Sequence, residues 1–422
     1  MESKNQCTER KYNYKLGYVR GLAIIEVVLA HTSLGGLSYY PGLSVFFAWF
    51  SPFSFAIPVF FFVSGYFFEE TAKLFGYIKK RFRRLIITYY SWNLFYLVVF
   101  FVVTSIGFLQ WAAKISLWTF FIQPWTTADQ YAFNLAAWFV PCLFLVQIAF
   151  VLLRKSLGTF KLTNEYFLFA FFLALGLTGT YLISIGYTNS FYLILDRTLF
   201  GLPFIQLGYL YKAKLEKFDK PSYTTIFTSI ILLVSIQYAL LSFYGSLNFD
   251  LLSVTFHGRI LEPFLSSFTG IWLCLIISTV FAKIFEPKKA PSRALKYIGE
   301  NTWSIMINQF LGFYLLSTVF FAIGAPGFNI VSYKTDLFYD YLINGDPRSQ
   351  ILYLAVGLLF PLFMTFCLTK LSAKTKNIFK RESKPQFSPG QNKYKIPKIF
   401  QSAKRKIMET LRFHKREDIP KT

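Results

Sequence analysis

A histidine and an arginine share one face of the first hydrophobic segment. Arg20 and His31 are eleven residues apart. At 100° and 1.5 Å per residue of α-helix, they lie within about 20° of the same face and roughly 16 Å apart along the axis. Imidazole takes up and returns a proton near neutral pH. Because ionisable groups inside a bilayer are costly unless they line a cavity or find partners, the pair predicts a functional site with His31 as the proton-transferring group.

Each of these residues also has a structural alternative. A neutral histidine can hydrogen-bond a neighbouring helix, and an arginine one turn inside the membrane can extend its guanidinium to the headgroups. The shared face favours the functional interpretation for both. Glu26 is rotated some 120° from Arg20 and 140° from His31. It is therefore either a hydrogen-bonding group between helices or a further member of the site.

A basic run with the sequence Lys-Lys-Arg-Phe-Arg-Arg precedes the third hydrophobic segment, at residues 79–84. Such runs commonly determine membrane topology. Arg81 and Arg84 are three residues apart, so on an α-helix they face one way and form a two-pronged clamp for phosphate. The chain has no Walker loop and no glycine-rich dinucleotide fingerprint. A nucleotide would therefore be held by side chains of this kind.

The composition is that of a membrane protein. Of the 422 residues, 54% are hydrophobic and 15% are charged, against about 25% charged in soluble domains. Stretches long enough to span a bilayer predict an all-α integral membrane protein with about ten transmembrane helices, at 17–38, 43–68, 85–108, 132–153, 165–186, 191–211, 223–245, 261–282, 297–323 and 350–371.

The distribution of basic residues predicts the orientation. The N-terminus, the even-numbered connections and the tail contain 37 of the 44 Lys and Arg residues, whereas the opposite connections hold four: Lys114, Arg259, Lys334 and Arg348. The positive-inside rule therefore places both termini in the cytoplasm. This distribution, and not nucleic-acid binding, accounts for the net charge of +23.

Two regions are predicted, a ten-helix membrane domain at 1–371 and a basic cytoplasmic tail at 372–422. The tail is expected to be disordered or, at 398–413, to form a helix on the anionic membrane surface. The connection at 324–349 is long enough to cap a cavity. The four cysteines show no paired spacing, and neither a disulfide framework nor a metal site is expected.

Further motifs, taken in order, resemble the membrane acyltransferase-3 family. They are the Arg20/His31 pair, Pro58 with Phe60-Phe-Phe-Val-Ser64-Gly65-Tyr66 two residues on, and the Arg81/Arg84 pair. The resemblance continues in the later segments, at Trp138-Phe139, Arg197, Pro203-Phe204, Gly208, and Gly299-x-Asn-Thr-Trp-Ser304. It extends over nearly the whole chain except the tail. Taken alone, Ser64-Gly65 is equally typical of close helix packing.

The resemblance implies an activity and a donor. Members transfer acyl groups, mostly acetyl, from cytoplasmic acyl-CoA to extracytoplasmic glycans. It implies that the CoA phosphates meet Arg81, Arg84 and Arg20, that Ser64-Gly65 lies on the donor path, and that His31 acts as base or acyl carrier. The expected protein is a multi-pass plasma-membrane O-acetyltransferase. Its acceptor would be a cell-surface polysaccharide or a lipid-linked glycan.

One segment departs from the family pattern. Many members have a histidine shortly after the serine of the ninth span, where this chain has Asn308-Gln309. An amide can hydrogen-bond a substrate but cannot act as a base near pH 7. Asn308 is therefore predicted to contact the substrate. The other candidate acceptor contacts are at the outer mouth: Tyr39, Tyr40, Trp138, Asp196, Arg197, Arg259 and Glu262, with His257 interpreted as a solvated loop residue.

Three other classes of protein are alternatives to an enzyme of this family. A transporter or flippase for a lipid-linked glycan also needs many helices and an internal arginine, but no internal repeat is visible. A glycan polymerase would have a large polar outward loop. A receptor without enzymatic activity leaves the Arg20/His31 face unexplained.

Overall fold

The computed structural model describes residues 13–32, 46–70, 73–109, 115–127, 131–219, 222–325 and 349–382, with side chains up to residue 370. These residues form helices and no strand. The long helices are α1 (Tyr14–His31), α2 (Pro52–Tyr66), α3 (Leu74–Ser105), α4 (Phe133–Thr159), α5 (Glu165–Ser184), α6 (Ser190–Leu210), α7 (Tyr223–Tyr244), α8 (Glu262–Ile284), α9 (Ala290–Glu300), α10 (Thr302–Ala322) and α11 (Ser349–Glu382). Helices satisfy their backbone hydrogen bonds internally, as a bilayer requires.

Seven of the described helices are long and apolar enough to cross a membrane, namely α3, α4, α5, α7, α8, α10 and the 349–370 part of α11. Helix α2 is apolar but has only 15 residues. Helices α1 and α6 contain several ionisable residues within their apolar sequences, among them Arg20, Glu26 and Arg197. The prediction of an all-helical membrane protein is therefore confirmed.

Two predicted spans are each divided in the structure. The segment predicted at 43–68 has helical residues at 46–49 and then a new start at Pro52, because the residue before a proline is driven to the extended conformation that Ser51 adopts. The segment predicted at 297–323 breaks at Asn301, between α9 and α10. Polar and apolar residues of α9 separate onto opposite faces, as in helices that lie along an interface.

The buried side chains form two hydrophobic clusters. One cluster, which includes Phe55, Phe61, Phe200 and Phe264, joins α2, α4, α5, α6 and α8. The other joins α1, α3, α4, α10 and α11 around residues such as Tyr89, Tyr96, Phe310 and Tyr353. The half-buried side chains of Ile57, Phe60 and Met306 pack against both clusters. They define a seam between the two halves of the bundle.

A polar network fixes the beginning of α1, the helix that contains Arg20 and His31. The Asn13 side chain caps α1 and donates a 2.8 Å hydrogen bond to the Tyr66 hydroxyl, which donates to Glu216 at 2.8 Å. Lys15 forms an ion pair with Asp219. These contacts connect α1 to the end of α2 and to the segment that follows α6.

A second network lies at the same end of the bundle. The Arg154 guanidinium of α4, whose side chain is 5% exposed, pairs with Glu165 at the start of α5 and with Glu70 after α2. It also lies 4.0 Å over the ring of Tyr209 in α6. Burial raises the pKa of Glu70, but the Tyr209 hydrogen bond and the Arg154 charge outweigh it and hold that pKa below its ordinary value. The Arg154 side chain thus connects α4, the start of α5, α6 and the segment that follows α2.

Several predictions fall on other parts of the chain. Several of these lie outside the described residues: Tyr39, Tyr40, residues 326–348 of the predicted cap at 324–349, Cys7 and the tail from 383 onward. Within the described part, Cys142, Cys274 and Cys367 are free thiols, and no cluster of metal-ligating side chains occurs. A division of the chain falls between Cys367 and Leu368, within α11. The predicted boundary at 371/372 stays a prediction.

Candidate active site

His31 is the last residue of α1, and its imidazole is held by α10. The ring lies edge-on to Phe310 with a centroid separation of 4.9 Å, and the Gln309 side chain lies beside it. The Nδ1 atom and Gln309 Oε1 are both buried and form no close hydrogen bond with a described residue, and the backbone of Val27, one turn earlier, also lies near the ring. The ring is therefore fixed in orientation while one nitrogen is available to take up a proton or an acyl group.

Arg20 lies eleven residues before His31 in the same helix, about two turns from its start. Its guanidinium is 5.8 Å from the ring centroid of Phe67, and its Nε has no partner among the described residues. No carboxylate in the described part of the chain forms an ion pair with it. A permanent positive charge on a half-buried side chain is thus free to bind an anion.

Helix α2 packs against α1 and has one half-buried face along its length. Phe53, Ile57, Phe60 and Ser64 recur at intervals of three or four residues and are all half-buried, and Phe67 follows beside Arg20. Ile57 and Phe60 belong to the seam. Ser64 has no hydrogen-bond partner among the described residues, so its hydroxyl is available on this face.

Glu26 points elsewhere. Its carboxylate lies within electrostatic range of Cys274 in α8, and Oε2 is buried without a hydrogen-bond partner in the described part of the chain. The predicted rotation away from Arg20 and His31 agrees with this position. The carboxylate thus lies on the side of α1 that packs against α8.

Gly65 has a packing role. A Cβ atom placed there would lie 1.8 Å from the Ile205 carbonyl oxygen, and one placed at Gly208 would lie 1.8 Å from the Phe62 carbonyl oxygen. Helices α2 and α6 therefore meet backbone to backbone, which only glycine permits at these positions.

We expect Gly65→Val to lower the free energy of unfolding by about 3 kcal/mol or more, because the added methyl groups overlap a backbone carbonyl. Thermal unfolding of the purified protein measures this loss. Gly158→Ala is the matched control, since a Cβ at Gly158 meets nothing within 4 Å. A Gly65→Val protein of normal stability with weakened donor binding would instead assign Gly65 to the donor site.

The basic run at residues 79–84 does not adopt uniform α-helical geometry. Residues Phe82–Ile87 form a π-helical turn, which is wider than an α-helical turn and changes which side chains align. An open depression of about 500 Å³ is lined by Gly76, Lys79, Lys80, Arg83 and Arg84. Arg81 instead lies 5.0 Å over the ring of Tyr77. The depression therefore joins Arg84 to Arg83 and two lysines.

Arg197 of α6 and Trp138 of α4 are in contact with each other. The guanidinium lies 5.5 Å over the Trp138 ring and donates to the Thr126 carbonyl at 2.9 Å and to the Leu252 carbonyl. Both side chains are buried, and only a space of about 10 Å³ adjoins them. The ring of Trp138 is covered by Arg197 and is not open to a sugar in this state.

The turn between α7 and α8, residues 245–261, closes over this region. Phe249 and Phe256 are buried against Phe200, and Val254 has a φ of 54°, which is strained for a β-branched residue. Asp250 in this turn lies within electrostatic range of both His31 and Arg197. Sequence analysis missed Asp250, because nothing in the sequence connects a loop residue with a helix more than 200 positions earlier.

Two buried carboxyl groups lie near the same end of the bundle. Asp196 at the start of α6 and Glu262 at the start of α8 are at most 1% exposed, and the carboxylate oxygens of both lack hydrogen-bond partners among the described residues. Buried polar groups in native proteins are nearly always hydrogen-bonded. Both carboxyls thus lack the close hydrogen bonds that buried carboxyls usually make, and Ser266 is the polar side chain beside Glu262.

The remaining predicted site residues have other contacts. Asn308 is buried, accepts a 2.6 Å hydrogen bond from Tyr96 and donates to the Ser304 carbonyl at 2.9 Å, so its amide joins α10 to α3. Arg259 donates to the Tyr244 carbonyl within the α7–α8 turn. His257 is exposed, in agreement with its interpretation as a loop residue.

A comparison with known protein families, taken together with the helices and the site, defines the class of protein. A family model described as an acyltransferase domain matches residues 13–370. No curated protein and no solved structure matches the chain. The class is thus a multi-pass membrane acyltransferase.

The chain belongs to the acyltransferase-3 family. The matched residues contain α1 to α10 and the part of α11 that ends at Lys370. The resemblance drawn from the sequence motifs is confirmed.

Proposed function

We propose that this protein is an O-acyltransferase that moves an acyl group, acetyl by family resemblance, from cytoplasmic acyl-CoA to a hydroxyl of an extracytoplasmic glycan. The observation that carries the proposal is the face of α1 that has a guanidinium without an ion pair at Arg20 and an imidazole with an unpartnered nitrogen at His31. About 16 Å of helix separates the two groups. That length suits an extended pantetheine arm with an anion at one end and a reactive thioester at the other.

The orientation is part of the proposal. Ten spans, with both termini in the cytoplasm, satisfy the positive-inside distribution of the 44 basic residues. The basic depression of Lys79, Lys80, Arg83 and Arg84 then opens to the cytoplasm, where the CoA phosphates enter. Arg20 receives the next negative charge, and the seam beside Ile57, Phe60 and Ser64 accepts the arm.

His31 has two possible chemical roles at the end of this path. As a base, it removes the proton of the acceptor hydroxyl, the oxygen attacks the thioester carbonyl, and the departing CoA thiolate recovers the proton from the imidazolium. As a carrier, its unpartnered nitrogen attacks the thioester first, and the acyl-imidazole then passes the acyl group to the acceptor. Both routes return a neutral imidazole and a CoA thiol.

The acceptor enters from outside, where Asp196 and Glu262 offer buried carboxyl groups to sugar hydroxyls. Arg197 and Trp138 form the wall behind them, since they are already bound to each other and to the neighbouring loops. The acceptor is a cell-surface polysaccharide or its lipid-linked precursor, and the enzyme lies in the plasma membrane. The basic tail contacts the inner leaflet.

The test is the alkali-labile acetate content of surface glycans. We expect it to fall to background in cells that lack the protein and to return on expression of the wild-type chain, and the glycan that changes identifies the acceptor. Unchanged acetate together with a glycan that disappears from the surface or accumulates inside would contradict the proposal. That outcome would assign the chain to the transporters and flippases.

A further inference from the structure

An apolar cavity of about 450 Å³ lies apart from the seam, between α5, α6, α7 and α8. Its walls include Phe169, Leu207, Ser229, Phe268 and Trp272, and Thr279 lies near one end. None of these residues belongs to the proposed donor or acceptor path. Helix α7, which forms one wall, is the least enclosed of these helices and exposes Phe227, Ile230, Ile231 and Val234 on its outer side. The cavity is therefore next to the hydrocarbon of the bilayer.

The depth of the cavity matches one leaflet. The lining residues of α8 run from Phe268 to Thr279, eleven residues or about 16 Å of helix. Half of a hydrocarbon core of about 30 Å is about 15 Å. This inference rests on the proposed function and its orientation, with both termini in the cytoplasm. In that orientation the Thr279 end of the cavity is the cytoplasmic end. The cavity therefore has the length of one leaflet, but it begins about 8 Å from the cytoplasmic end of α8 and extends past the midplane, since Phe268 is about 24 Å along the helix from Ile284.

Positive charge borders the cytoplasmic end. Lys283 lies one helical turn beyond Thr279, on the same face of α8, with its Nζ 4.7 Å from the ring centroid of Tyr223 at the start of α7. The exposed residues Lys214 and Lys217 alternate along the chain with the lining residues Leu215 and Phe218. Three acids lie nearby: Asp219, which pairs with Lys15, Glu216, which accepts from Tyr66, and Glu286, three residues after Lys283. The four lysines Lys15, Lys214, Lys217 and Lys283 outnumber these acids, so the formal charge of the rim is positive.

We propose that this cavity binds one acyl chain of an anionic phospholipid of the cytoplasmic leaflet, with the headgroup beside Lys283, Lys214 and Lys217. An apolar chain of leaflet length fits the walls, and an anionic headgroup fits the rim. A second helix is too wide for the cavity, because an α-helix with its side chains is about 10–12 Å across. The bound lipid also touches Tyr211 and Asp219, and these two residues hold Lys15 at the start of α1. Lipid binding would thus stabilise the helix that contains Arg20 and His31.

The test uses the full-length protein in bilayer nanodiscs and a phosphatidylglycerol probe with a photoreactive diazirine on one acyl chain. We expect the crosslinks to concentrate on peptides of α7 and α8 that line the cavity. Ser229→Trp, which fills the cavity, is expected to reduce this labelling at least fivefold. Ser235→Trp is the matched control, because Ser235 lies on the exposed side of the same helix, and it should label like the wild type.

A second variant tests the headgroup without filling the cavity. With Lys283→Gln, we expect the preference for phosphatidylglycerol over a phosphatidylcholine probe to fall severalfold while total labelling persists. Labelling spread evenly over all lipid-facing helices, or equal labelling of wild type and Ser229→Trp, would overturn the proposal. So would protection of the cavity by acyl-CoA or by a lipid-linked glycan and not by phosphatidylglycerol. The readout does not use acyl transfer, so its failure is distinct from a failure of the proposed enzymatic function.

Discussion

Replacement of His31 by alanine is expected to lower the rate of acyl transfer by at least about 10³-fold, because either route needs the imidazole nitrogen. The variant should remain folded, since the ring loses an edge contact with Phe310 and a neighbouring amide at Gln309 but no ion pair and no close hydrogen bond at Nδ1. The measurement is transfer of radiolabelled acetyl from acetyl-CoA to glycan in membranes, normalised to protein abundance.

The matched control is His257→Ala, which removes an exposed loop histidine and should leave the rate unchanged. His31→Gln tests the two routes further. Glutamine retains a hydrogen-bonding group but is neither a base nor an acyl carrier, so its rate should be as low as that of alanine. Wild-type rates in both His31 variants, at equal abundance, would exclude the mechanism.

Replacement of Arg84 by alanine is expected to raise the apparent KM for acetyl-CoA about tenfold and to leave kcat nearly unchanged. The charge pairs with phosphate equally in the ground state and in the transition state, so its loss weakens binding uniformly. Arg83→Ala should behave similarly, because Arg83 lines the same depression. Initial rates at varied acetyl-CoA concentration separate the two parameters.

Two controls sharpen the Arg84 experiment. Arg293→Ala removes an exposed arginine of α9, outside the basic depression, and should leave KM unchanged. A donor that lacks the nucleotide, such as acetyl-pantetheine, should be used equally well by the wild type and by Arg84→Ala. A fall in kcat alone would disprove the phosphate-binding role.

The sequence predicts the helices well because apolar runs of bilayer length have few alternative structures. Their interruptions are harder to predict. A proline at position 52 starts α2 anew, and Asn301 separates α9 from α10, although the surrounding residues are apolar. The predicted pairing of Arg81 with Arg84 assumes α-helical geometry. The structure has a π-helical turn there, and Arg84 lines the basic depression together with Arg83.

The candidate site shows the same difference between local and non-local information. The shared face of Arg20 and His31 follows from the geometry of one helix. The partners do not, because the Tyr96 hydroxyl that engages Asn308 and the guanidinium that covers Trp138 come from distant parts of the chain. Residue type alone predicts both Asn308 and Trp138 as substrate contacts. In the folded protein, the Asn308 amide is hydrogen-bonded to Tyr96, and the face of the Trp138 ring is covered by Arg197.

The contact of α2 with α6 through Gly65 and Gly208 has a mechanical consequence. The backbones of α2 and α6 are in direct contact at these glycines, which leaves no space for one helix to slide or tilt against the other. We therefore expect the two helices to move as one rigid body. A transporter alternates by rocking one half of its bundle against the other about a central substrate. Under the proposed function, this rigid contact beside the seam means that the donor and the acceptor would each reach His31 from their own side of the membrane, and only the acyl group would have to cross.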